Sequence, residues 1–278
     1  PACGRESIYG IVPAVKKKRV LVAGGGIAGL EAARTAASSG HTVVLCEKSG
    51  ALGGSLIPGG VPRFKRSDHR LVDWYRRQLE LLGVEVRYDT AVTPESVREF
   101  APDAVITATG SRARRMEFPG SLPAALAEDV LLGRADAGSR VVIVGGGLVG
   151  CETGLWLAEQ GRQVNLVEIL PELLGGHGKI PPMNEFMLMD LLRFHKVGIY
   201  TGASVTDTRP GAVTVKQGED TAELPAYTLI SAVGYLPESG LYESLQDLNI
   251  PVYNIGDSRE VHNIMYAIWN AYELARNL

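Results

Sequence analysis

Residues 20–48, VLVAGGGIAGLEAARTAASSGHTVVLCEK, and residues 141–169, VVIVGGGLVGCETGLWLAEQGRQVNLVEI, align without a gap at an offset of 121. The alignment carries Gly24 onto Gly145, Gly26 onto Gly147, Gly29 onto Gly150, Glu31 onto Glu152, Gly40 onto Gly161 and Glu47 onto Glu168. Each copy opens with a short β-branched run, turns on glycines, continues as a small-residue helix and returns as an apolar strand, over 42–46 in the first copy. That is a βαβ unit, and it occurs twice. Alternating strands and helices imply a parallel sheet covered on both faces, with right-handed crossovers.

The duplication reaches further. VITATG, ending at Gly110, is matched by LISAVG, ending at Gly234. Residues 71–82 place Leu71, Val72, Trp74, Tyr75, Leu79 and Leu82 near helical spacing. Gly83 ends that helix, and 84–88 reads as a strand. Residues 187–194, followed by 197–200, repeat the pattern in the second copy. Residues 264–278 carry Ile264, Ala267, Ile268, Ala271, Leu274, Ala275 and Leu278 on one helical face, which predicts packing on a sheet. The segment VYNIGD, 252–257, reads as a strand ending in a Gly-Asp turn. It supplies a last strand for the first domain, so the second domain is an insertion within the first.

The glycine spacing carries the chemistry. A dinucleotide-binding turn needs glycine for the tight turn, for close approach of a pyrophosphate to backbone, and for packing of helix on strand. Gly24, Gly26 and Gly29 meet that spacing, as do Gly145, Gly147 and Gly150. The following helix presents free N–H donors and its positive dipole end to phosphate. Glu47 and Glu168, each ending the next strand, stand where a carboxylate accepts from ribose hydroxyls. Glu168 is followed by Ile169 and Leu170, without an arginine for a 2′-phosphate, which favours NADH over NADPH. Asp257 is a further candidate acceptor for a ligand hydroxyl.

Composition narrows the classes. The 278 residues suggest about two domains at roughly 100–200 residues each. Hydrophobic residues make up 45% and charged residues 21%, with 33 Gly and 15 Pro, so neither a disordered nor a fibrous chain is expected. The formal net charge of −3 offers no basic field for nucleic acid or anionic lipid. Apolar runs are strand-sized, far below the roughly 18 residues of a membrane span. Cys3, Cys46 and Cys151 form no C-x-x-C pair, which fits a reducing cytoplasm. His41, His69, His177, His195 and His262 have no metal-ligand spacing, so no metal is expected. Lys16, Lys17, Lys18 and Arg19 read as a solvated lead-in to the first strand. The chain starts at Pro1, without Met or a signal-type segment, which leads us to expect a fragment.

Taken together, GGGIAG with Glu47, ITATG, GGGLVG with Glu168, AVGY and NIGD resemble a two-dinucleotide-fold flavoprotein, with FAD in the first domain and a pyridine nucleotide in the inserted one. More narrowly, PACGRE, KKKRVLVAGGG, EKSGALGG, RRQLELLGVEVR and GGGLVGCETGLWLAEQG resemble the C-terminal half of the 2,4-dienoyl-CoA reductase and trimethylamine dehydrogenase family, the old-yellow-enzyme-like NADH:flavin oxidoreductases. The resemblance covers nearly the whole chain. It implies residues 1–19 as a linker from an upstream half, residues 20–111 and 235–278 as the FAD-binding domain, and residues 112–234 as the inserted NAD(H)-binding domain. It also implies FMN and a 4Fe–4S cluster in that upstream flavin-barrel half, with the barrel as partner and a homo-oligomer as an option.

By the same resemblance Gly24, Gly26, Ile27, Ala28, Gly29, Glu47, Lys48, Gly54, Val92, Thr109, Gly110, Gly256 and Asp257 would contact FAD. Gly145, Gly147, Leu148, Val149, Gly150, Glu168 and Gly234 would serve NADH. Glu152 either approaches the nicotinamide end or is a plain helical acid. Residues 175–184 are expected as a loop beside the nicotinamide, with Lys179 or Asn184 near a ligand. No cysteine follows Glu47 in KSGALGGSLIPGG, so the dithiol exchange of related disulfide reductases is excluded. Cys46 reads as a buried small hydrophobe and Cys3 as a bystander thiol or a neighbour of the cluster.

The implied activity is hydride transfer from NADH to FAD, with electrons passed on to the upstream cluster and flavin of an ene-reductase or amine dehydrogenase. It needs no acid–base pair, so no catalytic side chain is assigned. Two other readings remain open at this stage: a structural module holding an adenine nucleotide without turnover, and a free-standing NADH oxidase or ferredoxin-type reductase.

Overall fold

The computed structural model describes residues 1–175 and 180–278. The chain divides into two compact units. One comprises residues 1–57, 67–112 and 236–278, and the other residues 58–66 and 113–235. Both are α/β units built on a five-stranded parallel sheet, as the duplicated βαβ pattern requires.

In the first unit the strand order is Val252–Asn254, Ala104–Thr107, Arg19–Ala23, Thr42–Cys46, Glu85–Arg87. All neighbours are parallel, with Val20 opposite both Val43 and Ala104. Period-two alternation divides the two cores. Val20, Val22, Val43 and Leu45 face the helices Ile27–Ser38 and Arg66–Leu81, while Leu21, Val44 and Cys46 face Val97 and Leu245 on the other side. Strand Val252–Asn254 extends this sheet on the far side of Ala104–Thr107, as the VYNIGD reading expects.

The second unit repeats the plan in the order Ala124–Leu126, Thr228–Ser231, Arg140–Val144, Gln163–Val167, Gly198–Tyr200. Val141, Ile143, Val164 and Leu166 face the helix Leu148–Glu159. The other face, with Val142 and Val167, is covered by a three-stranded antiparallel sheet, Ala203–Arg209, Gly211–Gln217 and Asp220–Ala226. Each strand and helix of the βαβ unit begins and ends 121 residues after its counterpart.

Parts of the structure differ from the sequence reading. The helix expected over 71–82 spans Arg66–Leu81, because its first turn is polar and invisible to an apolar-period search. The expected loop 175–184 is in part helix: Pro182–Phe194 takes in Asn184, with Pro182 at the first helical position where its missing N–H costs nothing. Residues 176–179, with His177 and Lys179, lie outside the described residues. The last helix, Ile264–Ala275, packs mainly on the helix Ile27–Ser38 rather than on a sheet. Ala32, Ala33 and Ala36 share a core with Ala267, Ala271 and Ala275, and side chains this small let two helices approach closely.

Candidate functional site

Strand Arg19–Ala23 runs into Gly24, whose N–H donates to Cys46 O at 2.8 Å as the last rung of the ladder with Thr42–Cys46 and whose φ of +110° turns the chain out of the strand. A Cβ there would lie 2.2 Å from Ala108 O, and one on Gly29 would lie 1.9 Å from Gly24 O, so both positions admit only glycine. Gly26 is different. Its φ is −73° and no atom lies within 4 Å of its Cβ position. It is the N-cap of helix Ile27–Ser38 without a side-chain capping bond, which leaves the first-turn N–H groups of Ile27, Ala28 and Gly29 without a helical acceptor next to the open space at Gly26. Backbone donors, a positive dipole end and space beside Gly26 suit an anionic group.

Glu47 is 7% exposed, and its carboxylate is the keystone of this turn. Oε2 accepts from Gly25 N at 2.7 Å, and Oε1 accepts from Ser49 N at 2.8 Å and Ser49 Oγ at 2.7 Å. A carboxylate has about four lone-pair sites, so it can hold the turn and still receive a sugar hydroxyl. Gly53 N donates to Gly25 O at 2.9 Å, and a Cβ on Gly54 would meet Gly26 Cα at 3.1 Å, so this return segment lies along the glycine turn.

The remaining candidates in the first unit separate into those at the turn and those away from it. A Cβ on Gly256 would lie 2.6 Å from Ala28 Cβ, which puts the Gly-Asp turn against the first turn of the helix. Asp257 accepts from Ser111 Oγ at 3.3 Å and from His262 N at 3.2 Å, and burial pushes its carboxyl above the usual range. Thr109 Oγ1 donates to Glu238 O at 2.5 Å, and Gly110 has φ +76° with open space around it. Lys48 is exposed. Val92 packs on the core containing Leu21 and Val44.

The second unit reproduces the arrangement. Gly145 has φ +106° and its Cβ would lie 2.3 Å from Ala232 O, while that of Gly150 would lie 1.9 Å from Gly145 O. Glu168, 8% exposed, accepts from Gly146 N at 2.5 Å and from Leu170 N at 2.8 Å. Leu174 N donates to Gly146 O at 2.9 Å, where the first copy uses Gly53. Gly147 caps helix Leu148–Glu159 without a side-chain bond, Leu148 and Val149 are half-buried in its first turn, and Gly234 has open space. Glu152 makes an ion pair with Lys65 at 3.1 Å, inside the same unit.

Two features escaped the sequence reading. Glu31 is 2% exposed and accepts from Arg34 Nη2 at 2.7 Å, Arg34 Nε at 2.9 Å, Thr35 Oγ1 at 3.1 Å and Tyr75 Oη at 2.9 Å. Burial and the Glu31 charge drive the Tyr75 phenol far above its usual range, so it stays a donor. This network ties helix Arg66–Leu81 to helix Ile27–Ser38, and its signal in sequence was the acid-arginine pair three residues apart. The turn-holding role of Glu47 and Glu168 was also unseen, since spacing shows where a strand ends but not what its last side chain accepts.

The cysteines have no dithiol chemistry on offer. All three are free. Cys151 donates to Gly146 O at 3.3 Å, and burial with the Glu152 and Glu168 charges pushes its thiol up to about 12. Burial also raises the Cys46 thiol. Among the described residues no group of His, Cys, Asp and Glu is arranged for a metal, and no helix is long and apolar enough to cross a membrane.

Comparison with known proteins gives concordant findings. Residues 18–257 match the pyridine nucleotide-disulphide oxidoreductase family. A cinnamate reductase of Clostridium sporogenes is 46% identical over 280 residues, covering 100% of this chain and 42% of the reductase. An NADH oxidase of Thermoanaerobacter brockii is 37% identical over 287 residues, covering 99% of this chain and 43% of the oxidase. The chain thus spans about two fifths of the length of these curated relatives. Among solved structures, 2-naphthoyl-CoA reductase superposes with a TM-score of 0.90 at 27% identity, over 100% of this chain and 43% of its own. Thioredoxin reductase of T. acidophilum shares the fold, with a TM-score of 0.68 at 18% identity over 93% of this chain and 96% of its own. The resemblance read from the motifs is borne out: two Rossmann-like dinucleotide-binding units, the second inserted in the first, in an enzyme family that binds FAD and NAD(P)H. The chain therefore belongs to the pyridine nucleotide-disulphide oxidoreductase family.

Proposed function

We propose that this chain is the FAD- and NADH-binding module of a larger reductase, in which the first unit holds FAD and the second holds NADH. The observation that carries the proposal is the paired geometry. Each unit has an uncapped helix N-terminus behind a glycine turn, and each turn is held by a buried glutamate accepting from the second glycine N–H. The residues fit dinucleotides on this chain's own chemistry, since open space at Gly26 is what a pyrophosphate needs to reach backbone donors.

Ile27, Ala28 and Gly29 would donate backbone N–H groups to the FAD pyrophosphate, and Glu47 would accept from the adenosine ribose. Asp257, held by Ser111 and His262 N–H beside the first helical turn, would accept from a sugar-alcohol hydroxyl. Leu148, Val149, Gly150 and Glu168 would do the same for NADH. A 2′-phosphate beside the buried Glu168 carboxylate would meet like charge, which supports NADH over NADPH. Together the two cofactors supply hydride transfer from nicotinamide to flavin. This chain's residues bind and orient them, and no side chain is required to move a proton.

The proposal extends to the remaining three fifths of the relatives' length. It assigns that part an FMN barrel and an iron–sulfur cluster to receive electrons, in an ene-reductase or amine-dehydrogenase type of enzyme. A relative named cinnamate reductase favours the first type. Three free cysteines support a reducing cytoplasm. Equilibrium binding tests the site assignment: Glu47→Ala should lose FAD and Glu168→Ala should lose NADH, each leaving the other site intact. Loss of both cofactors from either variant, or of neither, would refute the division of labour.

A further inference from the structure

The second unit carries a pocket of about 230 Å³ that the cofactor reading leaves unused. It lies where the loop from helix Ala127–Leu131 into strand Arg140–Val144 meets the end of helix Leu148–Glu159 and the turn into strand Gln163–Val167. These loops precede their strands, so the pocket sits at the amino edge of the parallel sheet, whereas the glycine turn sits at the carboxyl edge where dinucleotides bind. Buried Val130, Ala137 and Leu157 and half-buried Trp156 give it an apolar lining. Asp136 and Arg162 line the same pocket with opposite charges and form no ion pair with each other. Arg162 Nη1 donates to Gly138 O at 2.9 Å, which fixes the guanidinium, and its other donors have no protein acceptor among the described residues. The exposed Asp136 carboxylate has no partner among them either.

We propose that this pocket binds a free α-amino acid with an aliphatic side chain of about leucine's size. Two observations select that chemistry. The first is charge. Opposite charges that share a pocket without pairing suit a ligand that carries both complements. The ligand carboxylate takes the free guanidinium donors in the bidentate geometry that arginine favours, and the ammonium donates to Asp136. A ligand with one charge would leave the other group unanswered. The second is size. A cavity of about 150 Å³ holds benzene, so about 230 Å³ suits a molecule of about nine heavy atoms, which is leucine's size. Its aliphatic part would cover Val130, Ala137, Leu157 and Trp156, as apolar pocket walls require.

Titration calorimetry of the intact chain with L-leucine tests the site. The expected Kd is about 1 mM or tighter, the affinity of so small a ligand at moderate efficiency per atom. 4-Methylpentanoate lacks the ammonium and 3-methylbutylamine lacks the carboxylate, and each should bind at least about tenfold more weakly. Asp136→Asn should bring leucine down to the level of 4-methylpentanoate, and Arg162→Gln down to that of 3-methylbutylamine. Asp136 is exposed and bonds to nothing, so its variant folds as the wild type does and keeps the test readable if loss of the Arg162–Gly138 bond unsettles the other. No saturable heat with leucine up to about 10 mM would overturn the proposal. Equal binding of leucine and either single-charge analogue, or leucine binding unchanged by Asp136→Asn, would overturn it too. None of these readouts involves flavin or NADH, so the result stands apart from the cofactor assignment.

Discussion

Substituting alanine at Gly26 and at Gly29 separates cofactor recognition from folding within one turn of helix. At Gly26 the backbone has φ −73° and ψ 179°, which any residue adopts, and a methyl group there meets no atom within 4 Å. Gly26→Ala should therefore change stability by less than about 1 kcal/mol, the cap preference for glycine offsetting the entropy gained by removing it. On the proposed assignment, the same methyl group would occupy the space through which phosphate oxygens reach the first-turn N–H groups. Losing two charge-assisted hydrogen bonds at about 1.5 kcal/mol each weakens FAD binding by about 3 kcal/mol, or about a hundredfold. Gly29→Ala should do the reverse. Its Cβ would lie 1.9 Å from Gly24 O, a backbone atom that cannot rotate away, so the cost falls on folding and is at least about 3 kcal/mol. Urea unfolding of the apoprotein together with flavin titration reads both quantities. A Gly26→Ala variant that folds normally and binds FAD with unchanged affinity would refute a pyrophosphate on this helix.

Further outcomes follow from the same geometry. Glu168→Gln keeps one acceptor but turns an amide N–H toward either Gly146 N or Leu170 N, so the apoprotein should lose about 2 kcal/mol and those two amides should exchange faster; unchanged exchange would contradict the hydrogen bonds. Alkylation of the native chain should label Cys3 alone, since Cys46 and Cys151 are buried with raised thiol pKa values, and Cys46→Ala with Cys151→Ala should retain NADH-dependent flavin reduction. Glu31→Ala leaves Arg34 without its counter-charge and should cost about 3–5 kcal/mol, against about 1 kcal/mol for Tyr75→Phe, in chemical denaturation. His41 Nδ1 accepts from Lys18 N at 3.1 Å, and burial with the Lys18 charge holds the imidazole below its ordinary value of 6.5. The unfolded chain then binds this proton more readily, so the contribution of neutral His41 is complete above 6.5 and is lost as pH falls through the folded value. Denaturation midpoints of the wild type should fall with pH in that window more steeply than those of His41→Gln.

What the sequence reveals and conceals here has physical reasons. The two βαβ units were legible because glycine spacing, apolar runs and terminal acids recur at one offset, and chance does not repeat a constraint of that kind. Helix Ile264–Ala275 was legible as an element, but its neighbour was not. An alanine-rich face fits a sheet or a close-packed helix equally, and the matching alanines of Ile27–Ser38 decide for the helix. The antiparallel sheet over 203–226 gave no clear alternation, because its inward positions include Thr208 and small alanines while Thr206, Asp207 and Glu223 face out. At the site, the positions of Glu47 and Glu168 could be read, whereas their bonds to the second glycine N–H depend on a turn that brings residues 22 apart into contact.

Anaerobic titration of the FAD-loaded chain with NADH, followed by the visible flavin absorbance, tests the central claim most directly. The account predicts loss of that absorbance at one NADH per flavin, a slower response to NADPH, and a slower response to NADH in Glu168→Ala. A chain that retains FAD yet keeps its absorbance through excess NADH, or that retains only a bare adenine nucleotide, would contradict it and leave these two sites as structural ligand-binding folds.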